Sequence, residues 1–321
     1  MTDTTTIKPC QPVALEAAPL TTYRIGGLID ACYQPTTFDQ AVATLHHIQA
    51  THLAQGEPLT VLGWGGNTIV ASRGIRGAVL HTRKMDWAAW QNEAPGSHVL
   101  ICGAGTHSAK VATMAEKAGL LGAEYLIGIP ATMGGAARMN AGAMGQDTSE
   151  CLLWADVYDL EQNTVKRWPR EAFGYRYRHS NLDPARHVVL QLALQLTPGD
   201  GADISRRMAE NMTFRKSHHP TEPNGGSVFR NPTPDQPAGK LLDALGAKDW
   251  TEGGVRISPR HANFIINLGH GTSTDVLRLM ARMKRAIHEH YGLVALPENL
   301  FVGDATDEER DLWTYLLNTE L

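Results

Sequence analysis

"GIPATMGGAARMNAGAMG", residues 128–145, holds five glycines and five alanines, and Arg138 is its one charge. A stretch so poor in side chain brings backbone close to a flat ligand or to another backbone. A buried glycine-rich crossing would read the same way. A second glycine segment, "GWGGN" at 63–67, lies inside "LTVLGWGGNTIV" (59–70), which reads as strand, turn, strand. Bare N–H groups in such a turn can cradle a pyrophosphate, although a hairpin accounts for the same residues. No GxGxxG pattern is present and no long helix follows, which disfavours a nicotinamide-type Rossmann site. Together the two segments point towards a nucleotide cofactor.

Working outward, residues 38–53 place Ala41, Val42, Leu45 and Ile48 at helical spacing, and residues 107–119 do the same with Val111, Met114, Ala115 and Ala118. "AVLH" (78–81), "HVLICG" (98–103), "CLLWADVYDL" (151–160) and "HVVLQLALQL" (187–196) read as strands. "TPGDGAD" (197–203) has the composition of a linker. A helix over about 203–216, a glycine-proline segment at 220–237 and a strand "NFIINL" (263–268) follow. The last is a long helix over about 274–291, with Thr272 and Ser273 as candidate N-caps. Strands and helices do not alternate strictly, so the pattern is α+β and not a doubly wound sheet.

The 321 residues suffice for two or three domains, and 42% hydrophobic content suits a globular chain. A net charge of −4 gives no footprint for nucleic acid or an anionic membrane. Cys10, Cys32, Cys102 and Cys151 show neither CxxC nor zinc spacing, so reduced thiols in a cytoplasmic protein are expected. The first twenty residues lack the form of a signal peptide, and no apolar run reaches the roughly 18 residues of a membrane helix.

Four further places carry possible chemistry. In "GGSVFRNP" (225–232), Ser227 is either a turn residue or a reactive hydroxyl. "FGYRYRHS" (173–180) sets two arginines among aromatics, either for bidentate binding of carboxylate or phosphate or as a surface strand with alternating cations. Glu298 in "LPENLFVG" follows the long helix, where a lone carboxylate is usually only solvated. His261 reads as a hydrogen-bonded core histidine before it reads as a ligand, since no second ligand stands at metal spacing.

In order along the chain, "TTYRIGG" (21–27), "LGWGGNTIV", "GIPATMGGAARMNAGAMG", "YRHS", "GGSVFRNP", "AGKLLDALGAK", "HANFIINLG" and "LPENLFVG" resemble the UDP-N-acetylenolpyruvoylglucosamine reductase family. The resemblance implies an FAD-binding fold of the vanillyl-alcohol-oxidase (PCMH) type, made of two α+β subdomains, plus a C-terminal α+β substrate domain. The expected boundaries are 15–198 for the FAD region (about 15–83 and 84–198), 203–303 for the substrate domain and 304–321 for a helical tail. It implies non-covalent FAD, NADPH as co-substrate, and UDP-N-acetylglucosamine enolpyruvate as the substrate, in a monomer.

The resemblance also assigns residues. Ser227 is the proton donor, Arg178 steadies the substrate carboxylate, and Glu298 completes the catalytic set. Arg176 is the alternative, because the repeated "YRYR" leaves the register open. The cofactor set is Gly63, Trp64, Gly65, Gly66, Asn67 and Thr68 from the first loop. The second contributes Gly128, Ile129, Pro130, Thr132, Gly134, Gly135, Asn140 and Gly142. Gly66 stands where the family has serine, and Ala131 where it has glycine. No tyrosine occurs in residues 179–214, so the chain resembles the family type without a tyrosine lid. Arg215, His218 and Asn231 are then candidates for anchoring the UDP part. The rival readings are another FAD oxidoreductase of the same fold and a non-catalytic nucleotide-sugar-binding protein.

Overall fold

The structure, a computed structural model, describes residues 7–91 and 96–319. It divides into two compact units. The first contains Ala31–Trp64 and Gly77–Arg215 with the short segment before Ala14; the second contains Ala14–Asp30, Gly65–Arg76 and the chain from Lys216 onward.

In the first unit, helix α1 (Phe38–Thr51) begins where the Thr37 side chain accepts from the Gln40 amide, and it buries Ala41, Thr44, Leu45 and Ile48. Leu59–Leu62 runs parallel to the end of Ile75–His81, with Leu59 opposite Ala78 and Leu62 opposite His81. Tyr33, Leu45, Ile48, Leu80, Tyr158 and Leu190 fill the core between them. A five-stranded sheet has the order Thr164–Pro169, Leu152–Asp159, His187–Gln195, Val99–Gly103, Ala88–Gln91. Its neighbours are all antiparallel. The three strands expected from apolar runs are its centre. The edge strand Thr164–Pro169 is largely exposed, and Ala88–Gln91 is four partly exposed residues, so no long apolar run marks either. Helices α2 (Ser108–Lys117) and α3 (Met133–Met139) pack Val111, Ala112, Met133 and Ala136 against Leu100 and Leu192.

Residues 197–203 are not a linker. Thr197–Pro198 pairs with Leu120–Leu121, and helix α4 (Gly201–His218) starts inside the segment. The Asp200 carboxylate accepts the Ala202 amide at 3.0 Å, so the glycine-aspartate composition serves a helix start. Ile204 and Met208 of α4 belong to the first unit's core.

The second unit has helices α5 (Ala238–Ala244), α6 (Ser273–Tyr291) and α7 (Asp307–Leu317). Its sheet is the antiparallel set Thr251–Glu252, Val255–Ile257, Ile265–Asn267. Thr272 caps α6 in a reciprocal box with Asp275. Ser273, the other cap candidate, instead donates to the Glu309 carboxylate. Lys284 of α6 is fully buried. Its ammonium donates to the carbonyls of Tyr315, Leu316 and Asn318 at 3.1, 2.8 and 2.6 Å, satisfying the C-terminal end of α7. Leu300–Val302 runs parallel to Thr68–Val70, which brings the end of "LPENLFVG" beside the chain after the first glycine loop.

Candidate active site

In the first unit, the glycine-rich stretch lies against residues 104–108. Gly134 and Met133 donate their amides to the carbonyls of Ala104 and Thr106, each at 2.9 Å, and Ser108 donates its amide to Ala131 at 3.0 Å. Thr132 caps α3 and accepts from the Gly135 amide. A Cβ placed on Gly63 would sit 2.4 Å from the Thr132 hydroxyl oxygen, so the two glycine segments meet with no room for a side chain. That bare approach of loop and helix start fits a flavin dinucleotide's pyrophosphate. Trp64 carries the Arg83 guanidinium 3.6 Å from its ring centroid and meets His107 edge-on at 4.3 Å. Gly128 faces Arg215, whose Cδ would be 2.8 Å from an added Cβ. Burial lowers the Arg215 pKa to about 10.

The end of the same stretch holds Arg178. Residues 176–179 are not a strand but a tight two-residue turn, in which the amides of Arg176 and His179 donate to each other's carbonyls at 3.2 and 3.1 Å. Arg178 takes φ +52°, an unusual conformation for a side-chain-bearing residue. Its guanidinium donates to the carbonyls of Gly142 at 2.8 Å and Asn140 at 3.4 Å. Arg176, by contrast, is exposed and reaches the His179 ring at 3.2 Å. The Asn140 side chain is engaged in local bracing: its amide donates to Asp147, and its oxygen accepts from the Ser149 amide. Asn140 and Gly142 thus meet Arg178 through main-chain oxygens.

In the second unit, Ser227 follows a constrained turn. Gly225 lies on the Tyr23 ring, with 2.0 Å from an added Cβ to Cε2, and Gly226 has φ +78°. The Asn224 side chain accepts the Gly226 amide at 2.9 Å. Asn263 holds the following residues: its carbonyl accepts Val228 N–H at 2.8 Å, and its side chain exchanges two hydrogen bonds with the Phe229 main chain at 3.0 and 2.8 Å. Ser227 is partly exposed, and among the described residues its hydroxyl makes no protein hydrogen bond. Glu298 lies on the adjacent segment, where its amide donates to the Val228 carbonyl at 2.8 Å and Phe229 pairs with Pro297.

Asn67 donates its side-chain amide to the Glu298 carbonyl at 2.9 Å, accepts from Asn299 at 2.9 Å, and takes Leu300 N–H on its own carbonyl. Its amide therefore anchors the glutamate segment. Gly65, Gly66, Asn67 and Thr68 fall in the second unit, whereas Gly63 and Trp64 fall in the first. His218 ends α4 in the second unit, and Asn231 accepts the Ala238 amide at 3.3 Å. His261 stacks edge-on with Phe264 at 4.8 Å, accepts the Asn263 amide at 3.2 Å, and has its pKa lowered, chiefly by burial. No group of three potential metal ligands occurs among the described residues.

Sequence reasoning passed over Tyr23, Asn263 and Asn299, three buried polar side chains that shape the turn and its neighbour. Their available signal was polar residues inside otherwise apolar motifs, "TTYRIGG", "HANFIIN" and "ENLFVG".

The chain matches the family model "FAD binding domain" over residues 29–167. It matches "UDP-N-acetylenolpyruvoylglucosamine reductase, C-terminal domain" over 218–302. The UDP-N-acetylenolpyruvoylglucosamine reductase of Rubrobacter xylanophilus is 37% identical over 285 residues, 88% of this chain and 92% of that protein. The protein of the same name from a Synechocystis strain is 37% identical over 291 residues, 89% of each chain. Among solved structures, the Thermus caldophilus enzyme of that name superposes with a TM-score of 0.75 at 29% identity, covering 91% of this chain and 98% of its own. The expected FAD-binding fold with a C-terminal α+β domain is therefore the fold of this chain.

Proposed function

The chain belongs to the UDP-N-acetylenolpyruvoylglucosamine reductase family, and from that premise we propose that it reduces UDP-N-acetylglucosamine enolpyruvate to UDP-N-acetylmuramate for peptidoglycan precursor synthesis. FAD held by the two glycine-rich loops, 63–68 and 128–142, would supply hydride-transfer chemistry for that reduction, with NADPH as the source of reducing equivalents. The chain's residues must then steady negative charge on the carbon beside the substrate carboxylate and deliver a proton to it.

The observation that carries the reading is the Ser227 turn beside the Glu298 segment. Among the described residues the serine hydroxyl makes no protein hydrogen bond; the residue is partly exposed and held between backbone groups fixed on both sides. Turn serines can bond to neighbouring backbone, and this hydroxyl does not. In this reading Ser227 gives the proton and Glu298 completes the set. Arg178 takes the substrate carboxylate, and the carbonyls of Gly142 and Asn140 orient its guanidinium. Their hold on Arg178 also favours it over Arg176. Gly63, Trp64, Thr132 and Gly135 are assigned to the cofactor with the remaining loop residues, and Arg215, His218 and Asn231 to the UDP part.

The reading includes a monomer working in the cytoplasm, where NADPH and UDP-sugars are held. No helix among the described residues is long and apolar enough to cross a membrane. The test is NADPH oxidation followed by absorbance, with and without UDP-N-acetylglucosamine enolpyruvate. Turnover that depends on the enolpyruvate is expected. A yellow protein that ignores this substrate and oxidises an alcohol or sugar lactone with oxygen instead would overturn the proposal.

A further inference from the structure

Asn299 is 1% exposed and lies one residue beyond Glu298. Its side-chain nitrogen donates to the Gly225 carbonyl at 2.7 Å and to the Asn67 side-chain oxygen at 2.9 Å. The Ser227 carbonyl is a longer third acceptor at 3.3 Å. Its oxygen accepts from the Tyr23 hydroxyl at 3.4 Å, and Tyr23 is itself fully buried beneath Gly225. One amide thus touches the residues on both sides of Gly226, and Asn67, which in turn holds the Glu298 carbonyl.

We propose that Asn299 is a positioning residue that sets the Ser227 hydroxyl against the Glu298 segment. This rests on the assignment of Ser227 as proton donor. A primary amide supplies two N–H groups and one carbonyl on a rigid plane, so it bridges three backbone or side-chain partners at fixed angles. Buried networks of this kind hold one geometry when every member is satisfied. An aliphatic residue of the same size would leave the Gly225 carbonyl and the Asn67 oxygen without this donor. The Ser227 turn would then relax relative to Glu298, and displacement of about 1 Å at a reacting group is enough to cost roughly 100-fold in rate. Reduction of the flavin by NADPH does not use the Ser227 hydroxyl, so the loss falls on one half-reaction.

The experiment is stopped-flow absorbance on the FAD-loaded enzyme for Asn299→Leu, Ser227→Ala and the double variant, with Tyr23→Phe as a milder change that removes only the hydroxyl. For Asn299→Leu, flavin reoxidation by the enolpyruvate should slow roughly 10- to 100-fold, and flavin reduction by NADPH should stay within about threefold. Tyr23→Phe should slow reoxidation by a few-fold in the same selective way. In the Ser227→Ala background, Asn299→Leu should add almost nothing, because the two act as a unit. Equal slowing of both half-reactions, loss of bound flavin with Tyr23→Phe, or full additivity with Ser227→Ala would make Asn299 structural. Near-normal reoxidation in Asn299→Leu while Ser227→Ala is crippled would overturn this inference alone. Near-normal reoxidation in Ser227→Ala would instead remove the proton-donor assignment on which it stands.

Discussion

The Glu298 amide donates to the Val228 carbonyl at 2.8 Å. That bond lays the segment ending in Glu298 beside the segment beginning with Ser227, although the two residues are far apart in sequence. Pairing of Phe229 with Pro297, and of the Arg230 amide with the Leu296 carbonyl at 3.0 Å, extends the contact. The two proposed catalytic side chains are therefore set by main-chain geometry.

Ser227→Ala should slow flavin reoxidation by roughly 10²- to 10⁴-fold, the range for losing a general acid. Glu298→Gln should also slow turnover severely while the protein stays folded and yellow. Its main-chain bonds to Val228 and Asn67 do not involve the carboxylate. Rapid-mixing absorbance separates the half-reactions. Equal slowing of NADPH-dependent reduction in Ser227→Ala would assign the serine a structural role.

Arg178→Lys should lose most activity, because an ammonium cannot reproduce the planar fork now shared between the carbonyls of Gly142 and Asn140. Arg176→Lys should be nearly silent, since its side chain is exposed. Steady-state assays of the two variants decide the register. A benign Arg178→Lys beside a crippled Arg176→Lys would reverse it.

Gly225→Ala should destabilise the protein by about 1–3 kcal/mol, the usual range for overpacking. The new methyl would press on the Tyr23 ring, a rigid buried group that cannot swing aside. Denaturant melts against the parent protein measure this. An unchanged midpoint would mean that the ring yields.

His81 is 3% exposed, and its Nδ1 lies 3.1 Å from the Gln34 side-chain amide. Burial, and then the Arg83 charge, lower its pKa to about 4. The folded chain thus keeps His81 neutral where the unfolded chain, with a pKa near 6.5, already takes a proton. Stability from this group is full above about pH 6.5 and falls away as the pH drops towards 4, by up to roughly 3 kcal/mol. His81→Gln should flatten that part of the acid limb in denaturant titrations between pH 7 and 4. A parent-minus-variant difference that stays constant with pH would show that His81 does not titrate in this way.

FAD should leave the protein on acid precipitation, since neither glycine segment contains a histidine or cysteine to tether it. Colour is expected in the supernatant. Flavin left on the pellet would mean a covalent bond.

Sequence alone determined the elements whose signal is local. The apolar runs of Leu152–Asp159 and His187–Gln195 mark central strands because both faces are covered, and α6 is marked by its Thr272 cap and apolar spacing. The order of the motifs likewise carried the family, and with it FAD. Tertiary structure alone decided what "TPGDGAD" does, since a strand pairing with Leu120–Leu121 and a helix start capped by Asp200 leave no mark beyond composition. It also set the two arginines of "YRYR" in different surroundings: Arg178 reaches the carbonyls of Asn140 and Gly142, and the exposed Arg176 reaches the His179 ring, a difference that no sequence pattern carries. Asn299 is the extreme case. Its partners are Gly225, Ser227, Asn67 and Tyr23, from three separate parts of the chain, and a hydrogen-bond geometry shared by residues so distant exists only once the backbone has folded to bring them together.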